Sequence, residues 1–240
     1  MNRYFKILDW DSRFFGYKVA SVQASDLKHD KLVKILSDLK KESCKLVYCF
    51  VDPADEVTNN TIHKLSGMLV DEKVTYYIQG FEENHSLTSG QIQPYTITYP
   101  NTRIKDLALQ SGIYSRFKVD PGFRNNEYEN LYTEWIVKSV DKSFADEILV
   151  YYDDNEEKGF ISLSTKNNVG SIGLLAVDER ERGKSIGKKL INATFVHFIN
   201  NAVGEIEVVT QKANRTACAF YESQGFKVKS ITNVYHIWIK

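Results

Sequence analysis

The chain has 240 residues, enough for one large domain or two small ones with a substantial core. Lys plus Arg equals Asp plus Glu at 31 each. That neutral balance argues against a protein that coats nucleic acid or an anionic membrane, although a local basic patch remains compatible with it. The three cysteines, Cys44, Cys49 and Cys218, form no CxxC pair, and the five histidines lack metal-ligand spacing, so no metal centre is expected. "MNRYFKILDW" turns charged too early for a signal peptide, and no apolar run approaches the roughly 20 residues of a membrane span, so a soluble, cytoplasmic protein is expected. Aromatic residues reach 12%, which suits either stacking on sugar-like ligands or packing within sheets.

In chain order, "YFKILDW" and "YKVASVQ" read as strands joined by a turn at Asp11 to Gly16. "HDKLVKILSDLKKES" reads as an amphipathic helix, with Leu32, Ile35, Leu36 and Leu39 at helical spacing. A buried strand "KLVYCFV", a short helix "NNTIHKLSG" ended by Gly67 and a strand "KVTYYIQG" follow. "FEENHSLTSGQ" is polar and contains a glycine, and is the best linker candidate. It divides the chain into a first unit, residues 1–85, and a second, residues 91–240.

The second unit begins with a strand "QPYTITYP" and a helix "NTRIKDLALQSG" that Asn101 or Thr102 can cap. A second helix, "NNEYENLYTEWIVKSV", precedes three strands, "DEILVYYDD", "KGFISLST" and "VGSIGLLAV". A long helix runs from about Ser185 to Asn201, then a strand "EIEVVTQ", a helix "NRTACAFYESQG" and one or two strands in "FKVKSITNVYHIWIK". "HKLSGMLVDEKVTYYI" and "FYESQGFKVKSITNVYHI" share a helix–Gly–strand–strand order, a weak internal echo.

The chemistry concentrates in "VDERERGKSIGKKL", Val177 to Leu190. A glycine-containing turn at a helix start presents free N–H groups to an anion. A P-loop needs glycine where Asp178 stands, and a GxGxxG fingerprint is absent. The run Arg182, Gly183, Lys184, Ser185, Ile186, Gly187 resembles the acyl-CoA turn of the GNAT acyltransferases, Arg/Gln-x-x-Gly-x-Gly/Ala. Ser185 departs from it. With helical dihedrals a serine is tolerated there, and its hydroxyl can help hold phosphate; with positive φ it is costly and the turn is altered. "NRTACAFYESQGFK" matches a later GNAT element at Asn214, Ala217, Tyr221, Gly225 and Phe226. The resemblance implies an α/β GNAT fold with a mixed sheet, residues 91–240 being the catalytic domain and 1–85 a partial GNAT-like unit.

By that resemblance the co-substrate is acetyl-CoA or another short acyl-CoA, with no metal. The implied donor site is Leu175, Ala176, Val177, Arg182, Gly183, Lys184, Ser185, Ile186, Gly187, Lys188 and Asn214. Tyr221 matches the family's usual general acid for the leaving thiolate. No general base is evident: Asp178, Glu179 and His197 read as structural or solvated groups. "LDWDSRFFGYKVA" and "SRFKVDPGFRNNEYENLYTEWIVKS" resemble segments of the dTDP-fucosamine acetyltransferases, which acylate a dTDP-linked amino-dideoxyhexose for O-antigen and related polysaccharides. That likeness implies Trp10, Phe15, Arg116, Phe123, Tyr132 and Trp135 as acceptor residues, and a dTDP-amino sugar as partner. No nucleic acid or membrane partner is expected, and a homodimer is left open. The competing readings are a protein or peptide N-acetyltransferase and a non-catalytic acyl-CoA-binding protein of the same fold.

Overall fold

The helical spacing after residue 28 is realised as a helix from His29 to Lys41 that buries Leu32, Ile35 and Leu39. In the computed structural model, which describes residues 4–23, 25, 27–84 and 90–239, this helix belongs to a mixed α/β architecture. The first half runs β1 (Lys6–Ile7), α1 (Asp9–Phe15), β2 (Lys18–Gln23), α2 (His29–Lys41), β3 (Cys44–Val51), α3 (Glu56–Lys64) and β4 (Met68–Gln79). The second runs β5 (Ile92–Pro94), α4 (Thr102–Ser111), α5 (Arg116–Val119), α6 (Glu127–Val140), β6 (Glu147–Asp153), β7 (Glu156–Lys166), β8 (Val169–Val177), α7 (Ile186–Asn200), β9 (Glu205–Gln211), α8 (Arg215–Ser223) and β10 (Lys227–Trp238). The centre of the expected linker, residues 85–89, lies outside the described residues.

Three expectations are corrected. Residues 4–10 are not one strand: only Lys6–Ile7 pair, and Asp9–Phe15 form α1, closed by Gly16 at φ +73°. Asp9 and Asp11 lie in its first turn, where the helix dipole favours acids, and a left-handed glycine is a common helix stop. "QPYTITYP" contributes only the end of the three-residue β5. The segments beyond Gly67 and Gly225 are each one twelve-residue strand, β4 and β10.

All ten strands join one sheet in the order β1-β2-β3-β10-β4-β9-β8-β7-β6-β5. The last strand of the chain therefore sits between the last two strands of the first half, antiparallel to both. In return, β4 pairs with β9 of the second half. The echo seen in the sequence has a structural counterpart. Asp55 and Asn214 cap α3 and α8 by accepting from the N–H of Thr58 and Ala217. Ser66 and Gly225, at φ +62° and +87°, then turn the chain into β4 and β10.

Side chains alternate across the sheet, as the two-residue period of a strand requires. On β6, Leu149 and Tyr151 enter the core under α7 and α8, whereas Ile148 and Val150 enter the core under α4 and α6. The first half repeats the scheme: Val47 and Cys49 of β3 face the core of α2 and α3, and Leu46 and Tyr48 face α1, α5 and α6. Helices α4–α6 thus spread over one face of both halves.

Candidate active site

Strands β8 and β9 run parallel only from Val169↔Glu205 to Ile172↔Val208. Beyond that point they separate. β9 stays on β4 through Lys73↔Gln211, and β8 stays on β7 through Gly159↔Val177. A β-bulge helps: between Ile172 and Leu175 the β7–β8 register shifts, and the Ser162 hydroxyl accepts the Leu174 N–H at 2.8 Å. The result is a cleft with unpaired strand edge along Gly173–Val177.

One cavity of about 460 Å³ opens from this cleft towards the start of α7. Leu175, Ala176, Val177, Arg182, Gly183, Ser185, Ile186, Gly187, Lys188 and Asn214, all among the residues that the resemblance implies for the donor, line it. Lys184 does not; its ammonium is exposed and paired with Glu181 at 2.7 Å. Sequence reasoning missed the wall supplied by Gln110, Ser111, Ile113 and Tyr114 at the end of α4, which only the packing of α4 on β8 brings there. The turn is rigidly based. Asp178 is buried, bonded to Arg103 and Arg180, and accepts the Arg180 N–H at 2.9 Å, so it is a structural anchor and not a free base. Arg182 donates to the Val177 carbonyl at 3.3 Å. Ser185 adopts φ +61° and makes no capping hydrogen bond, so the costly alternative for this position is the one realised. Gly183, at φ +82°, has open space around a would-be Cβ, whereas one at Gly187 would meet the Phe220 ring at 3.1 Å. Gly187 thus serves the close packing of α7 on α8. The leading N–H groups of α7 remain free for an anion.

A second cavity, about 320 Å³, lies on the α5–α6 side. Arg116, Tyr132 and Trp135 line it, together with Asp71 and Lys73 of β4, which the sequence did not single out. The two cavities meet: Ser111, Leu175, Asn214, Ala217 and Tyr221 line both. Trp10, Phe15 and Phe123 line neither. Trp10 stacks on Phe14 at 5.2 Å, and Phe15 and Phe123 lie 5.2 Å apart within the aromatic core.

Tyr221 stands at the junction, 5% exposed. Burial, with the Cys218 thiol alongside, raises its phenol above the ordinary value, so it stays protonated at neutral pH. Arg116 is set in the other cavity by its neighbours. Its guanidinium lies 4.0 Å from the Tyr48 ring centroid and 4.5 Å from that of Phe117. Its Nη1 is 3.4 Å from His236 Nε2. His236 Nδ1 lies 2.5 Å from Asp120 Oδ2, which also accepts from Trp238 Nε1 at 3.0 Å. Burial lowers His236 to about 4. The imidazole is therefore neutral at pH 7, with Nδ1–H donating to Asp120 and Nε2 free to accept from Arg116. Asp71 is pushed up to about 7, chiefly by burial, with Arg116 opposing the rise.

The splayed strands, the free helix N-terminus and the tyrosine at the junction of two cavities define an acyl-CoA-dependent N-acyltransferase. Residues 111–226, just under half of the chain, match the model of the acetyltransferase (GNAT) family. The whole fold is similar to a GCN5-related N-acetyltransferase from Sphaerobacter thermophilus, at 15% identity and TM-score 0.64, over 98% of this chain and 76% of that one. A functionally unknown conserved protein from Staphylococcus epidermidis shows 17% identity and TM-score 0.65 over 93% and 85% of the two chains. A tandem GNAT protein of the clavulanic acid biosynthesis pathway shows 12% identity and TM-score 0.55 over 88% and 69%. No curated protein sequence matches the chain. Among the described residues no group of His, Cys, Asp and Glu is arranged to hold a metal ion, and no helix is long and apolar enough to cross a membrane.

Proposed function

We propose that the protein transfers an acetyl or other short acyl group from acyl-CoA to the amine of a dTDP-linked amino-dideoxyhexose, by direct attack. The observation that carries the proposal is the meeting of two cavities at Tyr221, one suited to the donor and one walled by aromatic and cationic side chains. In this reading the CoA pyrophosphate rests on the α7 N-terminus, with Arg182 and Lys188 nearby, and the pantetheine arm lies along the open edge of β8. An N–H of Leu175–Val177 polarises the thioester carbonyl and holds the oxyanion. The amine adds, the C–S bond breaks, and Tyr221 delivers a proton to the sulfur. Tyr132 and Trp135 offer faces for the sugar or the thymine, and Arg116 and Lys73 supply charge towards the diphosphate.

The test is mass spectrometry on a panel of acyl-CoAs crossed with dTDP-amino-dideoxyhexoses, the free amino sugars and lysine peptides. Binding energy from the remote nucleotide positions the reacting amine, so kcat/KM for the dTDP form should exceed that for the free sugar by several powers of ten. Equal rates on the two, or acylation of lysine peptides alone, would overturn the acceptor assignment and leave the donor chemistry standing.

A further inference from the structure

We infer that Asp71, contributed by the first half of the sheet, is the catalytic base that takes the proton from the acceptor's ammonium group. The inference rests on the acyl-transfer reading above and not on which sugar carries the amine. Two carboxylates line the joined cavities, Asp71 and Glu181. Glu181 lies at the outer, donor end and is paired with Lys184. Other acidic groups near the site are already committed: Asp178 to Arg103 and Arg180, Asp120 to His236 and Trp238, and Glu222 to the Tyr76 hydroxyl.

Asp71 is different. Its Oδ1 is buried without a hydrogen-bond partner. Of the three such side-chain atoms among the described residues, those of Tyr17, Asp71 and Asn233, only Asp71 lines either cavity. A buried acceptor that faces a cavity and lacks a donor is a place for a ligand N–H. The fold explains the position. β4 pairs with β9 only from Lys73↔Gln211 onward, so Asp71 lies just beyond the end of β9, where the acceptor cavity opens. Tyr221 lines the same cavity from α8, and the two proton-handling groups therefore flank one space from different elements.

The charged and titratable groups around Asp71 are Arg116 from α5, Tyr132 from α6, Tyr221 from α8, and Glu72 and Lys73 of its own strand. Glu72 is held by Lys212 at 2.6 Å. Burial outweighs the pull of Arg116 and Lys73 and raises Asp71 to about 7, so the carboxylate can accept a proton near neutrality yet release it to solvent afterwards. The protons balance. The ammonium loses one to Asp71, and the neutral amine forms the C–N bond. As the C–S bond breaks Tyr221 gives its proton to the sulfur, and the second proton on nitrogen passes to the Tyr221 phenolate and restores it. Asp71 then returns its proton to water.

The experiment uses the full chain with acetyl-CoA and whichever dTDP-amino-dideoxyhexose the panel shows to be consumed. For the wild type, kcat/KM should rise through a midpoint near pH 7. Asp71→Asn, nearly isosteric, should lower it about 100-fold at pH 7 and move that midpoint up to the amine's own titration. CoA affinity should stay unchanged, and Asp71→Glu should restore part of the rate. A loss under threefold, or a retained midpoint near 7 in Asp71→Asn, would overturn the assignment. A carboxyl ¹³C titration, with Asp71 identified by its absence in Asp71→Asn, judges the site without an acceptor. A midpoint between 6 and 8 supports the inference, and one below 5 overturns it. If the wild type consumes no sugar, the acceptor proposal fails while this titration still decides the proton site.

Discussion

Tyr221 lines both cavities where they meet, and its ring also packs against Tyr76, Phe220 and Phe226. Tyr221→Phe keeps that packing and removes only the hydroxyl. We expect kcat to fall about 10²- to 10⁴-fold with CoA affinity little changed, measured by steady-state kinetics and calorimetry. A fall under threefold, with chemistry rate-limiting, would assign the proton to water. Ser185 tests the turn itself. A non-glycine residue at φ +61° costs roughly 1–2 kcal/mol, partly offset by the extra chain entropy that glycine loses on folding. Ser185→Gly should therefore stabilise the protein by under about 1 kcal/mol in urea denaturation. CoA affinity should stay within threefold, because the hydroxyl makes no capping bond; a tenfold loss would show that it holds phosphate. Most of the larger cavity's lining on the α7 side could be read from the sequence, because Arg182, Gly183 and Ser185 to Lys188 lie within one short run. Asp71 could not. In "LVDEKV" it reads as solvated charge, and its meaning comes from Arg116 and Tyr132, which reach it only across the sheet.

At the level of elements, the helices with clear periodicity and caps were the readable ones. Asn101 and Asn214 cap α4 and α8 as expected, each bonding the N–H three residues on. The four-residue α5 is too short to show a period, yet it carries Arg116 into the smaller cavity. What fixes α5 and the loop after it is the buried Asp120–His236–Trp238 cluster, which ties that loop to β10. This lock makes a pH prediction. His236 has its ordinary value of 6.5 in the unfolded chain and about 4 in the fold, so between these values the unfolded chain binds more protons. Stability is therefore present above pH 6.5 and declines as pH falls through about 4; Asp120, whose value is also lowered, extends the loss below its ordinary 3.8. Asp120→Asn replaces a charged acceptor by a neutral one and should cost about 1.5–3 kcal/mol at pH 7. Urea denaturation from pH 4 to 8 checks both statements. A wild-type stability that is flat from pH 7 to 4 would contradict the neutral buried imidazole.

For the whole molecule, what a linear reading misses is the exchange of strands between the halves. A polar linker and a weak internal echo suggest two units, and local pattern says nothing of which strand pairs with which between the two halves of the chain. Here β10 fills the gap between β3 and β4, and β4 lies between β10 and β9. The first half has no glycine between β2 and α2, and Ile62 of α3 stands where α8 has Tyr221, relative to the Asp55 and Asn214 caps. Its contribution is instead Asp71 and Lys73 in the wall of the smaller cavity, and two strand neighbours, β3 and β4, for the second half. A chain of residues 91–240 would leave β10 without either partner and β9 with one bare edge. Val234, Tyr235 and Ile237, each under 5% exposed in the full chain, would face water. Each buried large apolar side chain is worth about 1.5–3 kcal/mol, and a domain's whole margin is about 5–15 kcal/mol, so the loss of these together with the strand pairing should remove cooperative folding. The 91–240 fragment should bind a hydrophobic dye, melt without a sharp transition and show no protected amides along β10 in hydrogen exchange. Adding the 1–85 fragment should restore those amides, since the missing partners are β3 and β4. A fragment that melts cooperatively alone, with β10 amides as protected as in the full chain, would show that the catalytic half does not depend on the exchanged strands.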